Sequence, residues 1–372
     1  MRKNRVTYGA LVLAVVSALS VVLPHLAAAQ GGESAVPFLL IAPNSRSSGM
    51  GESGTGSVDD ASATFWNPAA LAFLDGQEVS ITHANWLPQF NLPDLFYDYL
   101  NYRQRIDAIG GVIGASVTYL SLGEFSVTNS SGPTVVDKFK SYEYAVTAGY
   151  STKAFDDLGI GINLRFIHSA LSPIGTEQEK GNGIASTVSV DLSLMYRPQS
   201  LEIPLLGDIG KKFSVGVNLS NIGPKVTYVD AAQADPLPTN LRLGIGYRFI
   251  EDEYNTLTAG LDASRLIVRR RDDGTSDPVY KAIFTTWGDG SGLKKVIVSG
   301  GLEYWYGAPK LIALRVGYFF ENPDFGNRKF ATFGAGIRYD IYGFDFSYIS
   351  AGPDHPLSDT IRFSLLIGWG GS

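Results

Sequence analysis

Asn240-Leu241-Arg242-Leu243-Gly244-Ile245-Gly246-Tyr247-Arg248-Phe249 is the stretch that decides the fold. Leu241, Leu243, Ile245, Tyr247 and Phe249 share one parity. Asn240, Arg242, Gly244, Gly246 and Arg248 share the other. Such period-two alternation marks a strand with two unlike faces. The same pattern recurs along the chain. Ile160, Ile162, Leu164 and Phe166 alternate with Gly159, Gly161, Asn163 and Arg165. Val188, Val190, Leu192, Leu194 and Tyr196 alternate with Thr187, Ser189, Asp191 and Ser193, and Ile361, Phe363, Leu365, Ile367 and Trp369 stand against Arg362, Ser364 and Gly368.

Working outward gives fourteen candidate strands, near 78–87, 95–104, 110–121, 141–151, 159–169, 186–197, 212–222, 239–250, 255–268, 296–306, 311–320, 329–339, 342–350 and 359–369. They are long for a soluble domain, where strands run to ~5–6 residues. They suit tilted membrane-spanning strands, which need ~9–11. The chain is therefore expected to be all-β, a transmembrane barrel of antiparallel strands. The connections agree. Those at 88–94, 122–140, 170–185, 223–238, 269–295, 321–328 and 351–358 are mostly long, and those at 105–109, 152–158, 251–254, 307–310 and 340–341 are short. Only 198–211 breaks the alternation of short periplasmic turns with longer outer loops.

Composition fits. Charged residues make up 18% of the 372, with 36 acids against 30 bases; soluble chains carry about 25%. An acidic balance argues against a nucleic-acid partner. The chain has no cysteine, which excludes disulfides and thiol chemistry. The polar strand face carries Arg165, Asp191, Arg242, Arg248, Asp262, Glu303, Arg315, Arg338, Asp345 and Arg362. Charges that would be costly in lipid belong in a wet or internally paired lumen. Tyr247, Tyr304, Tyr306, Tyr318 and Tyr348, near strand ends, suit an interfacial aromatic girdle.

Residues 1–29 read as a secretory signal: Arg2, Lys3 and Arg5, then an apolar run over Gly9 to Leu23, then Ala27-Ala28-Ala29 before Gln30. Residues 30–77 are too polar to face lipid and are expected to form a plug inside a barrel of residues 78–372. Trp66, Asn67 and Pro68 mark a turn in it, and Asp59 or Asp60 is placed to cap a short helix through Ala61–Phe65. Gly49-Met50-Gly51-Glu52-Ser53-Gly54 has dinucleotide-fingerprint spacing, but no adjacent strand and no long helix follow it, so it reads as a glycine-rich turn. His83, His168 and His355 show no zinc-type spacing, and no Gly-x-Ser-x-Gly elbow occurs. No cofactor, metal site or catalytic constellation is expected.

Three blocks resemble the PorV family. They are Phe38-Leu39-Leu40-Ile41-Ala42-Pro43 with Gly49-Met50-Gly51 and Trp66-Asn67-Pro68-Ala69; Asn221-Ile222-Gly223-Pro224-Lys225-Val226 running on to Leu237-Pro238-Thr239-Asn240-Leu241-Arg242; and Glu303-Tyr304-Trp305-Tyr306 with Arg315-Val316-Gly317-Tyr318, Gly326-Asn327-Arg328-Lys329 and Phe333-Gly334-Ala335-Gly336. The resemblance, to the PorV/PorQ group, implies a FadL-like outer-membrane barrel of the type IX secretion system. Its implied partners are the large translocon barrel, the C-terminal signal domains of cargo, and the surface attachment complex. Partner contacts are then expected on the outer loops, with Phe125, Phe139, Tyr228 and Leu237 as apolar candidates. Arg269-Arg270-Arg271-Asp272-Asp273 reads as a solvated loop or a contact with lipopolysaccharide or a partner. The competing expectation is a FadL-type channel for hydrophobic small molecules, with Trp66, Trp86, Phe90 and Phe96 lining an apolar pocket.

Overall fold

The structure, a computed structural model, describes residues 34–129, 132–173, 182–204, 207–228, 233–271, 273–288, 290–352 and 355–370. The expected leader at 1–29 lies outside these residues, as does Asp272 of the arginine run. Sixteen strands follow in order. They are β1 (Gln77–Asn85), β2 (Leu95–Ile106), β3 (Gly111–Asn129), β4 (Gly132–Phe155), β5 (Leu158–Ser172), β6 (Gly183–Tyr196), β7 (Glu202–Ile203), β8 (Gly207–Asp208), β9 (Phe213–Ile222), β10 (Asn240–Glu251), β11 (Asn255–Leu266), β12 (Ile297–Tyr306), β13 (Ile312–Phe320), β14 (Lys329–Tyr339), β15 (Tyr342–Ala351) and β16 (Ile361–Trp369). All but β7 and β8 form one closed antiparallel ring of fourteen strands, with β1 pairing β16 from Gln77↔Trp369 to Ala84↔Arg362. Closure leaves no edge to be satisfied in lipid. No helix among the described residues is long and apolar enough to cross a membrane.

Two expectations about connections need correction. Residues 122–140 are largely not a loop: β3 and β4 stay paired through Glu124↔Lys140, Phe125↔Phe139 and Ser126↔Lys138. β5 accompanies β4 only as far as Tyr142↔Ala170. The β3–β4 hairpin therefore runs on past the last β4–β5 pair among the described residues. The exceptional connection 198–211 is folded, with β7 and β8 pairing as a small hairpin.

Strand parity sorts the two surfaces as the alternation requires. Leu164, Leu243, Leu261, Leu314 and Leu365 point outward and are exposed, whereas Arg165, Asp191, Asp262, Arg315 and Arg362 point inward and are buried. Outward-facing leucines at membrane depth are solvated by acyl chains. An aromatic row also runs across the outer face at the long-loop end. Ring centroids lie 6.0 Å apart for Phe96–Tyr119, 6.1 Å for Tyr119–Tyr142 and 5.1 Å for Tyr144–His168. Amphipathic rings in such a row suit the boundary between hydrocarbon and headgroups.

Residues 34–74 form short helical turns at Pro37–Leu40, Ser45–Ser48, Ala63–Trp66 and Pro68–Phe73. None exceeds two turns, so packing rather than propensity must fix them. The Ser45 amide donates to Ser364 Oγ of β16 at 3.1 Å, and the Gly51 amide to Thr332 Oγ1 of β14 at 2.8 Å. The Thr55 amide donates to Asp262 of β11 at 2.8 Å, and Ser151 Oγ of β4 donates to Pro68 O at 2.6 Å. A segment can reach strands on opposite sides of a closed ring only from within it.

Candidate functional site

Glycines allow this inner segment to approach the wall. Gly51 has φ 73°, and a Cβ there would meet Gly300 O and Tyr318 N at 2.6 Å. A Cβ on Gly54 would meet the Trp66 ring at 2.8 Å. The Gly49–Gly54 run thus serves close backbone approach, as a glycine-rich turn does.

Charge ties the interior together, most densely toward the short turns. Arg46 reaches Glu303 of β12 at 2.6 Å and Asp60 at 2.9 Å, and also binds Asp59. Glu303 accepts from Arg315 Nε of β13 at 2.7 Å, and Arg315 donates to Asp345 of β15 at 2.8 Å. Asp345 completes the chain with Arg338 of β14 at 2.7 Å. The Arg315 side chain is fully shielded from solvent, as Glu303 nearly is. Further round the ring, Arg165 donates to Asp191 at 2.7 Å, and Asp191 accepts from the Asn221 amide at 2.8 Å. Arg242 lies over the Phe65 and Trp66 rings at 5.0 and 4.9 Å. The inward acids are thus occupied by arginines and amides. Breaking a buried pair by removing one partner costs about 3–5 kcal/mol, because it strands the other charge.

Nearer the long loops, buried charges such as Glu143 and Arg362 stand beside an apolar cluster. Val36, Phe38 and Leu39 pack with Tyr97, Tyr99, Leu120, Ile167 and Leu237. Among the described residues, no group of three or more His, Asp or Glu could hold a metal.

The sequence-chosen residues divide between these regions. Trp66 is 2% exposed, and its Nε1 donates to Asn44 Oδ1 at 2.9 Å. Asn67 donates to Thr55 O and Leu194 O, both at 3.0 Å, and accepts from the Ala69 amide at 3.2 Å. Asn67 and Pro68 therefore fasten the inner segment to β6 and β4. Asp60 Oδ1 accepts from the Ser62 amide at 2.8 Å where the chain turns into Ala63–Trp66, as an entrance cap does; Asp59 and Asp60 are both also held by Arg46. Phe125 and Phe139 meet on the projecting hairpin, stacked with centroids 5.7 Å apart, and Phe125 is 48% exposed. Leu237 is 2% exposed and lies in the interior cluster, so it offers no surface to a partner. Tyr228 packs against that same cluster and donates to Ser169 Oγ at 2.9 Å, and burial raises its hydroxyl above the usual tyrosine range.

The four expected pocket aromatics do not converge. Trp66 and Trp86 are inside, Phe90 is exposed, and Phe96 faces outward beside His83 at 5.8 Å. Of the loop arginines, Arg270 pairs with Asp235 at 2.6 Å, and Arg271 binds Asp277. The Thr285 hydroxyl and Arg271 hold the Asp277 carboxyl below its ordinary range.

Arg46 is the residue that sequence reasoning missed. A signal was present, because Arg46 is the only base in 30–77, a stretch that also holds Asp59 and Asp60.

A closed antiparallel ring of fourteen strands, apolar outside and charged inside, is the architecture of an outer-membrane-type β-barrel. Residues 28–273 match the family described as Type IX secretion system protein PorV, and the chain belongs to that family. No curated protein matches it. Among solved structures it is similar to the Pseudomonas putida toluene transporter TodX, at 14% identity and TM-score 0.51, covering 88% of this chain and 98% of that one. It is also similar to the Ralstonia pickettii toluene transporter TbuX, at 13% identity and TM-score 0.48, with the same coverage. A Pseudomonas aeruginosa FadL homologue matches at 13% and TM-score 0.47, again over 88% and 98%. At such identities TodX bears on the fold alone.

Proposed function

We propose that this barrel resides in the outer membrane and handles cargo for type IX secretion. It binds the C-terminal signal domains of secreted proteins at the large translocon barrel and passes them to the surface attachment complex. The short turns face the periplasm and the long loops face outward. No chemistry is assigned to the chain; its work is reversible binding.

The family match over 28–273 carries this reading. The geometry supports it in two ways. The inner segment is cross-tied by buried ion pairs, which suits a stopper better than a conduit. The projecting β3–β4 hairpin displays the stacked Phe125 and Phe139 away from the ring, where a partner can reach them. A channel for hydrophobic small molecules would need the apolar aromatics to line one path, and they are dispersed.

Deleting the gene and following proteins with type IX signal domains tests the reading. Cargo retained in the periplasm is the expected outcome. Normal secretion, with uptake of a lipophilic compound lost, would replace it with the channel.

A further inference from the structure

The one connection that breaks the loop-length rule contributes to a basic cavity. A pocket of about 240 Å³ opens at the short-turn end, lined by Arg46, Arg197, Lys211, Lys212, Arg248 and Lys310 together with Asp59 and Glu303. Its acids are already engaged: Asp59 and Glu303 by Arg46, and Glu303 again by Arg315. Arg248 is neutralised by Glu251. Asp208, at the foot of the small hairpin, accepts from the Leu201 and Gly210 amides, both at 2.8 Å.

Among the described residues no carboxylate is in ion-pair contact with the remaining cations; Asp59 acts on Arg197 and Lys310, and Asp208 on Lys211, only from farther off. The Arg197 guanidinium donates to the Val58 carbonyl at 2.6 Å and lies 5.2 Å over the Phe73 ring, whose neighbourhood also holds the Lys153 ammonium at 5.2 Å. Lys211 and Lys212 sit at the last turn before β9, and Lys310 lies 5.8 Å over the Trp305 ring. Cations gathered around one concave space raise one another's energy, and an entering anion relieves it.

We propose that this cavity is a carboxylate-binding site that takes the acidic side chains of a polypeptide arriving at the short-turn end. A second cavity of about 280 Å³ shares Arg46, Asp59 and Lys310 with the first, but Asp60, Glu78 and Asp340 line it as well, so the excess of basic groups belongs to the first cavity and confines the site to it. Phe73, Phe213, Pro198 and Tyr247 add apolar lining for the stem of a glutamate or its neighbours. A bilayer headgroup is disfavoured because Ser57, Ser214, Gly246 and Thr258 place the cavity on the inner side of the wall. That the partner is periplasmic rests on the orientation under Proposed function; the binding itself does not.

The test uses the purified full chain in neutral detergent and a fluorescent tetraglutamate peptide, with tetraglutamine as control. Anisotropy should report binding of tetraglutamate alone, weakening steeply as salt rises from about 0.05 to about 0.5 M. The R197Q/K211Q/K212Q variant should bind about tenfold or more weakly while keeping the heat-modifiable gel shift of a folded barrel. The single variant K212Q, on an exposed turn, gives a second reading should the triple variant fail to fold; it should bind measurably more weakly than the parent. Equal binding by parent and folded variants overturns the proposal. So does displacement of the peptide by inorganic phosphate at equal concentration, or by anionic phospholipid added to the micelle. The secretion assay is independent, so a failure here and a failure there are distinguishable.

Discussion

The inner segment and the projecting hairpin are built from opposite materials. Residues 34–74 touch strands around the whole ring through amides, hydroxyls and the Arg46 hub. Past Ser141, whose hydroxyl donates to Leu171 O of β5, the β3–β4 hairpin is held by its own strand pairing, the Phe125–Phe139 stack and an exposed Lys138–Glu124 pair at 2.6 Å. Such a surface pair contributes little, about 0–1 kcal/mol. The contrast separates two tasks. Stability is concentrated where the ring is filled, and the tip of the blade can change without consequence for the cylinder.

Glu303→Ala strikes the filled region hardest. It takes away a carboxylate that Arg46 and Arg315 share, leaving Asp59 and Asp60 to the one and Asp345 to the other, so unfolding in denaturant should show a loss of about 3 kcal/mol, the low end for a broken buried pair. A loss below about 1 kcal/mol would mean that water reaches these charges and the contrast is overstated. Gly51→Ala comes next. Its Cβ would press on the backbone of β12 and β13 at a positive φ, at a cost of about 1–3 kcal/mol by the same measurement.

Acid should act locally and more weakly, at the loop between β15 and β16. Burial and the Arg328 guanidinium hold His355 below the ordinary imidazole range. Its neutral Nδ1 accepts from the Leu357 amide at 3.1 Å. The folded loop therefore binds fewer protons than the opened one. Its stability is full above the unfolded value of about 6.5 and falls as pH drops below that. Relative to the intrinsic rate at each pH, the protection of amides across 355–360 against hydrogen exchange should fall from about pH 8 to about pH 5.5, and His355→Gln should flatten the difference. The smallest effect belongs to the blade. Phe125→Ala with Phe139→Ala should leave barrel unfolding within about 0.5 kcal/mol of the parent, yet reduce type IX cargo at the cell surface. Unchanged secretion would remove the blade from partner contact.

The strands were legible because lipid on one side and a polar interior on the other sort every second residue. The stretch from Asn240 onward was expected at 239–250 and pairs over Asn240–Glu251. Beyond the membrane neither face is sorted, so 122–140 kept its pairing and lost its alternation. That is why it looked like a loop. Leu237 misled for a different reason: an apolar residue in a connection looks available until the tertiary fold turns it inward, here against Phe38 and Tyr97. The ion network was half legible. The inward charges could be named from parity alone, but which acid meets which arginine depends on strand order, and the Arg46 hub depends on a segment with no periodicity at all.

The claim under all of this is that residues 34–74 sit inside the closed ring. Ser45 and Ser364 make the most direct probe, since their hydroxyls lie 2.9 Å apart across segment and wall, and the chain has no native cysteine to interfere. In S45C/S364C membranes, mild oxidation should join the two thiols, tying the segment to β16 and changing gel mobility until reductant is added. If both thiols instead remain free and take up maleimide under the same conditions, the segment is not seated there and the account fails.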